Sequence, residues 1–242
     1  MAQNIYDTAE FYEGYSTLPR SVLGLDGAPE WPSVRELLPV INGKRIVDLG
    51  CGFGWFARWA AAKGAASVLG IDLSENMLAK ARAETTHASV RYDRADLETL
   101  TLPAAAFDIA YSSLAFHYVQ DFGRLTDTIY RSLLPGAHFV FTIEHPIYMA
   151  SKSPGWVVRK DGARTWPVDH YAVEGERRTD WFTKGVIKYH RRLATTVNTL
   201  LNAGFSIRHL NEWSRTSAQL EEQPALVDEM DRPMMLIIAA QT

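Results

Sequence analysis

Three aspartates stand where a nucleotide-like ligand would need them. Asp48, Asp72 and Asp96 close the runs "RIVDLG", "SVLGID" and "ASVRYDRAD", each of which reads as a strand. A single Asp at a strand end is more often a turn former or a helix cap. Three in succession line one edge of a crevice, outside the carboxyl ends of strands, where open α/β sheets bind ligands. Asp72 is placed to accept hydrogen bonds from ribose hydroxyls. Asp96 is placed to meet a further polar edge such as an adenine amino group.

Between Asp48 and Asp72 lies "GCGFGW", with glycines at 50, 52 and 54. A dinucleotide fingerprint needs a small third residue so that helix and strand pack closely, and Trp55 stands in that position. No Gly-Lys-Ser/Thr follows, so the loop is not a P-loop. Asp48, two residues before Gly50, would repel a pyrophosphate and suits a cation or an ammonium group. The loop therefore reads as a close backbone approach to a ligand that is not an anion.

Two histidines follow strand ends. His117 lies in "LAFHYV" and His145 in "IEHPI"; each is a candidate for a substrate contact or a base, or else satisfies a loop backbone. His190, in "KYHRRL", reads as the start of a helix and as structural. Cys51 is the only cysteine, which rules out an internal disulfide and a cysteine-based zinc site. No acidic cluster argues for a catalytic metal.

Alternating strands and helices must position these groups. The helices are "WFARWAAAKG", "SENMLAKARAE" with Ser74 as N-cap, and an amphipathic run with Phe122, Leu125, Ile129 and Leu133 on one face. Pro135-Gly136 is expected to end the last of these. "FDIAYSS" and "HFVFTIE" are the fourth and fifth strands, and the rhythm predicts a parallel, doubly wound sheet. From residue 145 to about 188 the rhythm breaks into a long insertion rich in Trp and Tyr. A helix around Leu193–Leu201, stopped by Gly204, and two strands, "FSIRHLNEW" and "MMLIIAA", follow.

The composition is that of one α/β domain. The chain has 242 residues, 47% hydrophobic and 22% charged, with a formal net charge of -3. That charge gives no reason to expect a nucleic-acid partner. Apolar runs are too short to span a membrane, and no signal peptide is expected at the start. A cytoplasmic location fits.

"VDLGCGFG", "GIDLSENMLAKA", "RADLETL", "FDIAYSSLAFHYV" and "LLPGAHFVFT" resemble the successive motifs of class I S-adenosylmethionine-dependent methyltransferases, of the small-molecule, methyltransferase-domain-11-like type. The resemblance is close over residues 43 to 143. It implies an α/β Rossmann-like, doubly wound seven-stranded sheet with an antiparallel last strand, here with an insertion after strand five. It implies a single domain: an N-terminal helical cover (1–42), a cofactor-binding core (43–143), a substrate cap (145–188) and a C-terminal helix and strands (189–242). It implies S-adenosyl-L-methionine as cofactor, whose sulfonium and ammonium agree with Asp48. Asp48, Gly50, Cys51 and Gly52 would line its methionine end. Asp72, Leu73 and Met77 would hold the sugar, and Asp96 and Leu97 the adenine. Ser112 would face the methionine moiety through its backbone. In similar enzymes a segment such as "YDTAEFYEGYSTLPRS" folds over the cofactor, which brings in Tyr15, and Arg20 as a partner for the methionine carboxylate or as a solvated surface residue.

Trp156, Trp166, Tyr171 and Trp181 of the insertion would wall a substrate pocket, form the insertion's own small core, or make a subunit contact in a homodimer. The Asn/Asp-Pro-Pro-Tyr/Phe motif of amide and nucleobase methylation is absent after "FDIAY". The expected reaction is methyl transfer to a small-molecule O, N or C nucleophile, the alternative being a non-catalytic cofactor-binding or interaction module. Asp48 and Trp55 oppose an NAD-dependent oxidoreductase.

Overall fold

β-Branched, apolar runs flanked by glycine and acidic residues form the central sheet, as their composition favours. The computed structural model describes residues 3–242. The strands in chain order are β1 (Arg45–Leu49), β2 (Ser67–Asp72), β3 (Val90–Arg94), β4 (Phe107–Ser113), β5 (Leu133–Glu144), β6 (Val157–Val158), β7 (Arg164–Thr165), β8 (Gly175–Trp181), β9 (Thr183–His190), β10 (Ser206–Trp213) and β11 (Met235–Gln241). Seven of them make one sheet in the order β10-β11-β5-β4-β1-β2-β3. β1 to β5 pair in parallel, and β11 runs antiparallel to both β5 and β10. The seven-stranded, Rossmann-like sheet with its antiparallel last strand is therefore present.

Helices cover both faces. On one, Phe122, Leu125 and Ile129 of the helix Phe122–Ser132 pack with Phe139, Phe141 and Leu200. On the other, Phe56 and Ala60 of the helix Trp55–Ala62 pack with Trp31, Ile46 and Tyr111. Ser74 caps the helix Glu75–Glu84, accepting from Met77 N at 3.1 Å. Gly204 ends the helix Leu193–Ala203 in the left-handed conformation, φ +107°. Among the described residues no helix is long and apolar enough to cross a membrane.

Two local expectations change. Pro135-Gly136 lies inside β5 and does not form the helix stop; the helix ends at Ser132 and the strand begins at once. The insertion carries two antiparallel hairpins, β6–β7 and β8–β9, and His190 ends β9 and does not open a helix.

The β8–β9 hairpin packs against the N-terminal segment. Phe11 and Val186 are fully buried together, with Tyr6, Tyr15, Tyr118 and Trp181 around them. Gln3 joins the two by backbone contacts, accepting from Ile187 N at 2.9 Å and donating to Gly185 O at 3.2 Å. Two segments more than 170 residues apart in sequence thus share one small aromatic core over the carboxyl edge of the sheet.

Candidate active site

A cavity of about 1190 Å³ follows that edge. Asp48, Gly50, Cys51, Gly52, Asp72, Leu73, Met77, Asp96 and Leu97 all lie in its wall, together with Tyr15 and Arg20 of the N-terminal segment. The sheet places them in sequence along the crevice, because β1, β2 and β3 are neighbours and each ends at the same edge.

The glycine turn and Asp72 are one unit. The Asp72 carboxylate accepts from Gly52 N at 2.8 Å and from Ser74 N at 2.9 Å. Burial pushes its pKa above the ordinary carboxylate value, and the hydrogen bonds from Ser74 and Gly52 oppose that shift without cancelling it. Asp48 is only 2% exposed, and its Oδ2 has no hydrogen-bond partner. Burial, and then the neighbouring Asp72 charge, hold its pKa well above the usual range. A buried carboxylate in this state is costly, and a cationic group brought to it would relieve that cost. Gly52 has φ +52°, and a Cβ there would meet nothing within 4 Å. The turn thus opens directly on the cavity. Cys51 is buried, and burial raises its thiol pKa, which disfavours the reactive thiolate. Asp96 lies two residues beyond the end of β3; it accepts from Glu98 N at 3.0 Å and shapes the loop at that end of the crevice.

The N-terminal segment is latched beside this unit. Asp7 Oδ1 accepts from Ser74 Oγ at 2.5 Å and from Asn76 N at 3.0 Å, at the start of the helix Glu75–Glu84. Burial pushes Asp7 up, but its hydrogen bonds from Ser74, Asn76, Asn4 and Glu75 outweigh that and leave the pKa below the ordinary value. The latch is complete above the unfolded carboxylate pKa and is lost as pH falls through the depressed folded value.

Under the hairpins lies a second polar group. Glu144 ends β5, and its Oε1 accepts from Lys188 Nζ of β9 at 2.5 Å. Lys188 is 4% exposed and faces the rings of Trp181 and Tyr118 at 5.1 and 5.9 Å. His117 Nδ1 accepts from Glu144 N at 3.4 Å, and its Nε2 lies 3.9 Å from Glu144 Oε1. Burial, opposed by Glu144 and reinforced by Lys188 and Arg191, lowers the His117 pKa to about 4. Its ring is therefore neutral near pH 7, with Nδ1 already used as an acceptor. Burial raises Glu144, yet His117 and Lys188 bring its pKa below the ordinary value, and its Oε2 has no partner. Tyr6 and Tyr118 hydroxyls meet at 3.2 Å beside this cluster.

The structure gives four expected site residues other side-chain partners. His145 does not reach the cavity wall: its Nδ1 accepts from Ile147 N at 3.1 Å, capping the helix Pro146–Met149, and its Nε2 meets Glu212 at 2.8 Å. Ser112, expected to face the methionine moiety through its backbone, is fully buried, and its hydroxyl donates to Leu49 O at 2.7 Å; the next residue, Ser113, lines the wall. Tyr171 lies outside the wall, its hydroxyl accepting from Leu193 N and its carbonyl meeting His190. Arg20 lines the cavity, but its guanidinium is held by both oxygens of Glu30, at 2.9 and 3.1 Å. Trp166, Trp156 and Trp181 do line the wall. Glu144, Lys188, Tyr6 and Tyr118 were not foreseen. Glu144 ends a strand as the aspartates do, and that position was their one sequence signal.

The chain's residues 47–141 match the methyltransferase domain family Methyltransf_11. A solved structure of an S-adenosylmethionine dependent methyltransferase from Mesorhizobium loti is 56% identical, with a TM-score of 0.87; the match covers 90% of this chain and 100% of that one. A Listeria monocytogenes structure assigned to the same class is 39% identical, with a TM-score of 0.84 over 90% of this chain and 99% of the other. The malonyl-[acyl-carrier protein] O-methyltransferase of Pectobacterium atrosepticum is 35% identical over 53% of this chain and 49% of its own length.

Proposed function

The chain belongs to the S-adenosylmethionine-dependent methyltransferases, and from that premise we propose that it methylates a small-molecule O, N or C nucleophile held in the cavity beside the cofactor. The observation that carries this reading is the cavity itself. Its volume of about 1190 Å³ exceeds the roughly 300–1,000 Å³ of an ordinary small-molecule site, and aromatic residues from the N-terminal segment and the β8–β9 hairpin line it. In this reading residues 1–42 cover the cofactor, 43–143 bind it, 145–188 cap the acceptor and 189–242 complete the sheet. The lone, buried Cys51 suits a cytoplasmic setting.

The wall residues fit the cofactor. Asp48, with its unpartnered oxygen, would take the ammonium group, and Gly52 leaves the space that a close ligand needs. Asp72 would hold the ribose hydroxyls with the lone pairs that Gly52 and Ser74 leave free. Leu73 and Met77 would pack on the sugar, with Leu97 and Asp96 at the adenine. When bound, the cofactor supplies an electrophilic methyl carbon. The chain supplies orientation and exclusion of water. Glu144 is better placed than His117 to accept a hydrogen bond from the attacking group, because its Oε2 is unpartnered while His117 is pinned against the β5 backbone. Lys188 keeps that carboxylate charged and ties the cap to the sheet. The malonyl-carrier relative acts through oxygen, which supports oxygen as one acceptor type.

The test is release of S-adenosylhomocysteine when the purified chain meets S-adenosylmethionine and a panel of small O, N and C nucleophiles. Release above the acceptor-free background is expected. A complete absence across the panel would favour a non-catalytic binding module. Trp166→Ala should change turnover or acceptor choice by about tenfold or more. Affinity for S-adenosylhomocysteine should stay within about twofold, since Trp166 packs on Tyr148, Trp156 and Arg232 and not on the aspartate edge. An equal loss of both would remove the cap from the acceptor site.

Asp7→Ala should act on the other end. Loss of a helix-capping carboxylate costs about 1 kcal/mol, so release of bound S-adenosylhomocysteine should quicken about fivefold. Stopped-flow displacement measures this directly; an unchanged rate would mean that the N-terminal segment does not gate the cofactor.

A further inference from the structure

The far end of the cavity, over β11 and β10, has a different chemistry from the aspartate end. Arg215 follows β10 and Arg232 precedes β11, and these two strands meet at the Trp213–Met235 pair. Both arginines line the cavity. Each has a buried Nε that donates to nothing among the described residues. Arg232 is 7% exposed and is fixed among three rings: Trp166 at 3.8 Å, Tyr148 at 4.7 Å and Trp156 at 5.0 Å. One carboxylate, Glu229, meets its Nη2 at 3.0 Å. Arg215 has no ion pair among the described residues, and Glu222, which shares the wall, pairs with neither arginine. Lys152 stands in the same wall. Arg232 pairs with Glu229 as Lys188 does with Glu144, which leaves Arg215 and Lys152 as the wall cations at this end with no ion pair among the described residues.

Buried guanidinium donors left without acceptors are costly, and each such group calls for an explanation. Arg232 has little freedom to find one elsewhere, because the rings hold its plane. A planar, rigid guanidinium with an unpaired edge matches the oxygens of a carboxylate or phosphate. An apolar or cationic occupant would leave both donors unpaired, and a neutral carbonyl would accept from them without balancing the charge. We propose that the methyl acceptor carries an oxyanion, a carboxylate or a phosphate ester, held by Arg215 and Arg232 at the end of the cavity remote from the cofactor. The inference rests on the reading that acceptor and cofactor share this cavity. Neighbouring strands lie about 4.8 Å apart, so β11 and β10 are one and two spacings, about 5–10 Å, beyond Glu144 on β5. The acceptor is accordingly elongated, with its nucleophile beside Glu144 and its anion at the arginines. Met235, paired with Glu144 across β11 and β5, and Trp166 on Arg232 line the cavity and suit an apolar middle.

The experiment uses four probes of one length and different charge: octanoate, octyl phosphate, octanamide and octylamine. Each is titrated calorimetrically into the full chain saturated with S-adenosylhomocysteine. Saturation by S-adenosylhomocysteine, measured first, reports on the methyltransferase site and not on this inference. At least one of the two anions should bind about tenfold or more tightly than the amide and the amine. Which of the two is tighter tells carboxylate from phosphate. Arg215→Met and Arg232→Met should each erase that preference while affinity for S-adenosylhomocysteine is retained. Arg232→Lys, which keeps the charge and loses the fork, should retain part of it, so a folding defect in Arg232→Met does not decide the result. Anions held no better than the amide, including no retention of any probe, would overturn the proposal. So would a preference that survives in Arg215→Met and Arg232→Lys undiminished.

Discussion

A Gly52→Val chain will fold and will not take up S-adenosylmethionine. Gly52 sits at φ +52°, where an L side chain costs roughly 1–2 kcal/mol and a β-branched one more. That strain alone is tolerable for a domain of this size. The larger effect is positional. A Cβ at Gly52 meets no protein atom within 4 Å, so the valine would stand in the cavity. It would also disturb the amide that donates to Asp72. Affinity should fall by about a hundredfold or more, since steric overlap adds to the lost hydrogen bond. Gly50 makes the contrast. A Cβ there would lie 2.4 Å from the Ala115 Cβ, so Gly50→Val should injure folding itself. Calorimetric titration beside a thermal melt separates the two. Normal affinity in a folded Gly52→Val chain would move the cofactor away from this loop.

The aspartate edge was legible in the sequence because its determinants are local. A strand, a glycine turn and a carboxylate at a fixed offset occupy one short stretch, and the parallel order of β1, β2 and β3 brings three such stretches to one edge. The other half of the cavity is not local. Glu144 becomes a site residue only when Lys188, on a hairpin more than 40 residues later, folds back over it. That hairpin was hidden because its strand "GERRTDW" has no continuous apolar face; its one buried residue, Arg177, donates to the carbonyls of Ala150, His170 and Val173, and Val186 of the partner strand is buried against Phe11 of the N-terminal segment. Ser113 was not singled out because successive strand side chains face opposite sides, and the parity that turns the Ser112 hydroxyl into the sheet turns that of Ser113 to the cavity. His145 was read as chemistry because it follows a strand, yet the Pro146 beside it opens a short helix that the imidazole caps. Arg215 and Arg232 are ordinary surface residues by sequence, and only the pairing of β10 with β11 carries them to one end of the crevice.

Asp72→Ala should weaken S-adenosylmethionine binding about ten- to hundredfold, the equivalent of about 1.5–3 kcal/mol for a charged acceptor lost from two hydroxyls. Stability should respond differently from affinity. Burial raises the pKa of Asp72 and of its neighbour Asp48, so the folded chain disfavours both charges. For a carboxylate with a raised folded pKa the unfolded state loses its proton first. The cost therefore starts as pH rises past the ordinary carboxylate value and is complete above the raised one. Near neutral pH the substitution removes this strain, against the loss of an acceptor for Gly52 N and Ser74 N. The two changes oppose each other, and the unliganded variant should melt close to the parent while binding far less well. A bound ammonium acts on Asp48 in the same sense, since it favours the charged carboxylate. The stabilisation that S-adenosylhomocysteine confers should thus grow with pH across the raised window in the parent chain and grow less in Asp72→Ala, where one of the two repelling carboxylates is gone. Calorimetry and melting curves over that range test both halves. Unchanged affinity in a folded variant would take the ribose away from Asp72. A ligand-induced stabilisation that is flat with pH would take the ammonium away from Asp48.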